Sequence, residues 1–188
     1  MSSKKNKVTE ELHPYDYQEE RYELIEGIRY EMQAAPMIRH QQLVTYFWKC
    51  FEDLCAPEGL VLTAPIDVKF DEENEFQPDV VYITNENLHI VTEKKIIGAP
   101  DIIIEILSPS TSYNDKIRKK RVYERFGVKE YWIVDPVHLY VDQLVLTDKK
   151  YLLANTYGYM DVVRSELLSC IKIDLETIFS KLLVFDKD

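Results

Sequence analysis

The chain has only five glycines, Gly27, Gly59, Gly98, Gly127 and Gly158, and no two of them share one loop. Without a glycine-rich turn there is no Walker A loop, no GxGxxG dinucleotide fingerprint and no GxSxG nucleophile elbow. Histidine is as sparse. His13, His40, His89 and His138 stand apart with no HExxH or other paired spacing, which disfavours a zinc hydrolase of the common kinds. Cys50, Cys55 and Cys170 are odd in number and form no CxxC, so they read as reduced, buried thiols of a cytoplasmic protein rather than a secreted disulfide framework. The longest apolar stretches, around 43–51 and 102–107, are too short or too interrupted to cross a bilayer, so no membrane partner is expected. Positive charge is in deficit as well. Twenty-three Lys+Arg against 33 Asp+Glu give a net charge of -10, so any attraction to nucleic acid must come from a local patch.

What is there reads as one globular unit. Hydrophobic residues make up 46% and charged residues 30% of 188 positions, which excludes a disordered, collagen-like or disulfide-scaffold chain. Residues 1–12, Lys-rich at their start with no apolar run behind, read as a flexible leader, and 13–188 as a single domain. Alternation over 22–32 around Glu26-Gly27 predicts a hairpin. After a break at Pro36, Leu43, Val44, Phe47, Trp48, Phe51, Leu54 and Cys55 recur at three- and four-residue spacing and predict an amphipathic helix ending near Pro57 and Gly59. Residues 60–70 predict one strand, 71–75 a turn, 80–83 a buried strand, and 85–97 is ambiguous, with a helical turn. Residues 102–107 are the strongest strand signal and stop at Ser108-Pro109. A basic helix is expected over 112–126, with Ile117, Tyr123 and Phe126 inward and Gly127 as its stop. Strands over 131–134, 139–146, 150–155 and 161–163 and a short helix over 175–183 complete an α/β chain, a mixed sheet flanked by helices.

Glu105 is the most informative residue. A carboxylate among Ile102, Ile103, Ile104, Ile106 and Leu107 is costly to bury without a partner or a metal, unless it faces solvent from an edge strand. Asp79 enters the preceding buried strand, where an ordinary Pro-Asp turn is the alternative. Two carboxylates on neighbouring strands can share one hard cation such as Mg²⁺, which completes its octahedron with water and phosphate oxygens and needs no histidine. Directly after Glu105, Lys116, Arg118, Lys119, Lys120, Arg121 and Arg125 reverse the acidic balance, which suits phosphate contact as well as it suits a solvated helix face.

The ordered blocks Tyr22-Glu23-Leu24-Ile25-Glu26-Gly27, Arg39-His40, Gln77-Pro78-Asp79, Ala99-Pro100-Asp101 through Glu105-Ile106-Leu107-Ser108-Pro109-Ser110-Thr111, Asp115 with Lys119 and Tyr123, and Gly127 through Asp135-Pro136 carry a resemblance. They resemble the bacterial Uma-two family of restriction-endonuclease-like proteins, part of the PD-(D/E)xK nuclease superfamily. The resemblance implies a core of helix, three-stranded meander, helix and strand. It implies a metal-dependent endonuclease acting on DNA, with Asp79 and Glu105 as the two acids. The lysine expected two residues after the second acid is replaced by Leu107, and Lys119 on the following helix stands in for it. Asp79, Glu105 and the Ile106 carbonyl would then hold Mg²⁺, with Mn²⁺ as a substitute, and Lys119 would orient the attacking water or meet developing charge. Glu23, His40, Gln77 and Ser108 are candidates for substrate contact or for support of the metal site, and Lys116, Arg118 and Lys120 for phosphate contact. The alternative is a catalytically inactive relative that binds nucleic acid or protein on the same fold. The strands after Asp135 are a candidate homodimer interface. Trp132, Tyr131 and Phe126 read as core rather than base-stacking groups.

Overall fold

The computed structural model describes residues 22–31, 37–109 and 111–183. The expected leader and the break at Pro36 lie outside them. Where the sequence alternates around Glu26-Gly27, β1 (Tyr22–Ile25) and β2 (Ile28–Glu31) form a hairpin, with Glu26 at φ 51° and Gly27 at φ 75°. Two positive φ values match the right-handed twist of the flanking strands, which is why a glycine sits in the turn. The apolar stripe then forms α1 (Ile38–Cys55), which buries Leu43, Val44, Phe47, Phe51 and Cys55. Trp48 and Leu54, read as part of that stripe, lie on its rim, 37% and 42% exposed.

The single strand expected over 60–70 is two, β3 (Gly59–Thr63) and β4 (Val68–Asp71), in different sheets. Between them stands Pro65, after a cis peptide bond, and a proline cannot donate to a ladder. The acidic turn after β4 returns the chain as β5 (Asn74–Phe76). Then come β6 (Val80–Thr84), a 3-10 turn over 85–90 where the pattern is ambiguous, and the two-residue β7 (Ile96–Ile97). The isoleucine run is β8 (Ile102–Ile106), all five residues buried. It crosses over through a π-helical segment, Asn114–Lys119, and α2 (Lys120–Phe126) to β9 (Glu130–Asp135), which pairs parallel with β8. Ile117, expected to face inward, is 38% exposed, because the π-helical segment turns Asp115 and Lys119 to the core instead. The chain ends in β10 (Tyr140–Thr147), β11 (Lys150–Tyr157), β12 (Val162–Arg164), β13 (Lys172–Asp174) and α3 (Leu175–Phe179).

Six strands in the order β11-β10-β9-β8-β6-β3 make the central sheet, so β8 is interior and Glu105 has no edge to escape to. Phe51, Trp132, Val134, Ile104 and Ile106 pack with α1 and α3 on one face of it. Ile103, Ile133, Tyr131 and Tyr123 pack on the other, under the crossover and the five-stranded sheet β2-β1-β5-β4-β7. Each fully buried large aliphatic side chain here contributes about 1.5–3 kcal/mol. Tyr131 and Trp132 are fully buried on opposite faces of the sheet, core groups as expected, and Phe126 packs on the Tyr131 side.

The cysteine expectation is corrected. Cys55 at the end of α1 and Cys170 form a disulfide across 115 residues, which no local spacing could reveal, and Cys50 alone is free. The start of α1 is also fastened to the C-terminal segment. Arg39 Nε donates to the Leu183 carbonyl at 2.9 Å, Gln42 Nε2 donates to the Lys181 carbonyl at 3.4 Å, and Leu183 N donates to Gln42 Oε1 at 3.2 Å. Among the described residues no helix is long and apolar enough to cross a membrane.

Candidate functional site

β6 and β8 run antiparallel with Val80 opposite Ile104, which sets Asp79 across from Glu105 at the C-terminal end of β8. Backbone and carboxylate knit the pair together. Ile106 N donates to Asp79 Oδ2 at 2.8 Å, and Asp79 N lies 3.4 Å from Glu105 Oε2. The other oxygen, Glu105 Oε1, accepts from Tyr123 Oη at 2.8 Å and Lys119 Nζ at 3.1 Å. Asp115, Lys119 and Tyr123 follow one another at four-residue spacing on the crossover, so one inward face delivers an acid, an ammonium and a phenol to the same place.

Lys119 is the hub. Its Nζ is 2.8 Å from Glu23 Oε1 on β1, 3.1 Å from Glu105 Oε1 and 3.2 Å from Asp115 Oδ1. Burial works against its charge, but Glu105, Glu23 and Asp115 together hold its pKa well above the usual lysine value. Asp115 Oδ1 is an ion-pair partner without hydrogen-bond geometry, and it is buried with no hydrogen bond among the described residues. Three carboxylates thus surround one ammonium, and the fourth acid, Asp79 beside Glu105, has its Oδ2 3.1 Å from His40 Nε2 on α1. Burial lowers the His40 pKa, yet the bond to Asp79 and the negative charge around it leave it raised overall. Burial pushes the carboxyls of Glu105 and Asp115 upward, Glu105 well above the ordinary range, with neighbouring carboxylates adding to the effect.

Two other buried acids supply the contrast. Glu130 accepts from Trp132 Nε1, Gln143 Nε2, Ser165 Oγ and Leu167 N, all within 3.1 Å. Asp101 accepts from Thr84, Asn87 and Lys129, and although burial opposes it these partners hold its carboxyl below the usual range. Those carboxylates are satisfied by the chain itself and pin a loop and a crossover. Around Lys119, by contrast, Glu23, Glu105 and Asp115 share one ammonium.

Asp79, Glu105, Lys119, Ile106, Glu23 and His40 are therefore brought together. Gln77 supports them: its backbone N donates to Glu23 Oε1 at 3.2 Å and its side chain to Asp67. Ser108 Oγ engages Thr111 in the turn behind β8. Lys116 and Lys120 face outward with Arg121 around a shallow depression. Arg118 lies over the rings of Tyr30 and Tyr113. Asp115 and Tyr123 were not among the candidates, although their spacing about Lys119 was the available signal. Among the described residues no three His, Cys, Asp or Glu side chains converge as a ready metal cage. The donor set still suits a hard cation that keeps most of its waters. Asp79 Oδ1 makes no hydrogen bond among the described residues, and Glu105 Oε2 accepts only the long one from Asp79 N, so among those residues each acid has one oxygen weakly engaged or unengaged.

No curated protein matches the chain. Among solved structures, one described as a putative nuclease belonging to DUF820 from Anabaena variabilis superposes with a TM-score of 0.72 at 19% identity, covering 88% of this chain and 93% of that one, which establishes a shared fold. Residues 9–176 match the family described as "Putative restriction endonuclease", and on that match the chain belongs to the Uma2 family.

Proposed function

We propose that the chain is a Mg²⁺-dependent endonuclease that hydrolyses phosphodiester bonds in DNA. The observation that carries this reading is the facing pair Asp79 and Glu105, each with one oxygen held by the chain and the other weakly engaged or unengaged among the described residues, beside a buried lysine that three carboxylates keep charged. Membership of a restriction-endonuclease family supports the reaction class and DNA as substrate. Asp79, Glu105 and the Ile106 carbonyl would hold the ion, with Mn²⁺ as a substitute. When bound, such an ion polarises the scissile phosphate and acidifies a water molecule.

The chain's own residues do the remaining work. Lys119 stays protonated and directs its ammonium at the attacking water or at the charge that develops on the phosphate. Glu23 and Asp115 position Lys119, Tyr123 fixes Glu105 by its hydroxyl, and His40 fixes Asp79. Lys116 and Lys120 contact flanking phosphates and offset locally the repulsion of an acidic protein.

Purified wild type and the Asp79→Ala, Glu105→Ala and Lys119→Ala variants are incubated with supercoiled, linear and single-stranded DNA in Mg²⁺ or Mn²⁺. Cleavage by wild type, with each folded variant slower by ~10²-fold or more, is the expected result. An active Lys119→Ala would remove the lysine from the assignment. No cleavage together with no calorimetric Mn²⁺ binding would move the protein to the inactive, binding-only reading.

A further inference from the structure

Beside the carboxylates lies a stack that the mechanism leaves unused. In the β1–β2 register Glu23 stands opposite Tyr30, so both side chains leave the same face about 4.5–5.5 Å apart at Cβ. Glu23 reaches inward to Lys119, and one step outward the Arg118 guanidinium lies 4.7 Å from the Tyr30 ring centre. The other ring on Arg118 is that of Tyr113, at 4.9 Å. Asn114 Oδ1 accepts from Arg118 Nη1 at 2.6 Å and fixes the guanidinium. A guanidinium held by two rings and an amide is a rigid plane rather than a flexible phosphate anchor. Tyr113, the outer member, is 61% exposed, so a large aromatic surface is held stiffly in water at the rim of the site.

We propose that Tyr113, backed by Arg118 and Tyr30, is a stacking platform for an unpaired nucleobase beside the reacting phosphate, so that the substrate is taken as a single strand or a locally opened duplex. The inference rests on the nucleic-acid reading of the site. The net charge of -10 and the carboxylate cluster repel a polyanion, so affinity close to the acids must come largely from contacts that do not depend on charge. Stacking of a base on an aromatic ring is such a contact and tolerates any sequence. Inside a paired duplex both faces of a base are covered by its neighbours, so an exposed ring selects for bases out of the stack. Lys116, Lys120 and Arg121 on the outward face of the crossover then track the backbone leading away from the platform.

The test measures anisotropy of labelled oligo-dT, an abasic oligonucleotide of the same length and a blunt duplex with the full chain, in EDTA and again in Ca²⁺. Tyr113→Ala is expected to weaken oligo-dT binding about ten-fold while the abasic and duplex probes change little, and Tyr113→Phe is expected to keep wild-type affinity. Equal losses on all three probes, no loss on oligo-dT, failure of the Phe variant, or no oligo-dT binding by wild type would each overturn the platform. The two proposals fail separately. A wild type that cleaves DNA with a single-strand preference unchanged in Tyr113→Ala would overturn the platform and leave the nuclease standing. A wild type that never cleaves but binds oligo-dT through Tyr113 would do the reverse.

Discussion

Glu105 ties stability to pH with a definite sign. Burial raises its carboxyl well above the ordinary range, so across that interval the folded chain keeps a proton that the unfolded chain has released. Stability therefore falls as pH rises through the interval. Lys119 acts at the far end, since its raised pKa makes its contribution complete below the usual lysine value and lost only above it. His40 is likewise raised, so its contribution is present below 6.5 and fades as pH climbs through its folded value. Taken metal-free from about pH 5 to about pH 8, wild type is expected to lose melting temperature relative to Glu105→Gln. Mg²⁺ is expected to raise the melting temperature of wild type and not of the variant. A gap between the two proteins that ignores pH in differential scanning fluorimetry would contradict the buried-acid account. Glu105 was legible because one acid among isoleucines is a local anomaly, and Asp79 because it opens a strand. Glu130 escaped notice because two of its four donors, Ser165 and Leu167, which satisfy its Oε1, come from 35 and 37 residues away.

At the scale of elements, the long strands and α1 were readable from period alone, whereas β5, β7 and β13 were not. Two or three residues carry no periodicity, and these strands exist because neighbouring strands offer unpaired backbone groups. The break of 60–70 into β3 and β4 turned on Pro65, a signal present in the sequence but outweighed by its apolar neighbours. A different constraint fixes the start of β3. A Cβ on Gly59 would stand 2.3 Å from the Ile83 carbonyl oxygen on β6 and 2.7 Å from the Tyr82 ring. Gly59→Ala must part the β3–β6 ladder and is expected to cost about 1–3 kcal/mol in urea unfolding. Gly27→Ala, with open space around it but φ at 75°, meets left-handed strain without a clash and is expected to cost less than Gly59→Ala, about 1 kcal/mol. Reversal of that order would show that β3 yields more easily than its pairing implies.

Across the whole molecule, the family blocks located the fold class and named two acids that the fold sets side by side, and the match at 19% identity to a solved fold shows how much sequence the architecture tolerates. What stayed hidden was long range. The Cys55–Cys170 bond closes 115 residues, and by loop entropy such a link contributes at most about 4–5 kcal/mol. The Cys55→Ser, Cys170→Ser double variant is expected to unfold at lower denaturant and to become indifferent to reducing agent, with Cys50→Ser like wild type in both respects. A double variant as stable as oxidised wild type would mean that the packing of α1 alone holds that corner. The contacts at the other end of α1 have a bearing on time. His40 sits between Arg39 and Gln42, and those two are clasped by Lys181 and Leu183. On the ribosome the acids, the lysine and the sheet that carries them are synthesised well before residues 181–183, which clasp the turn of α1 that carries His40. The bonds that hold the first turn of α1 are therefore among the later ones a growing chain can close, after the strands that carry Asp79 and Glu105 have been made.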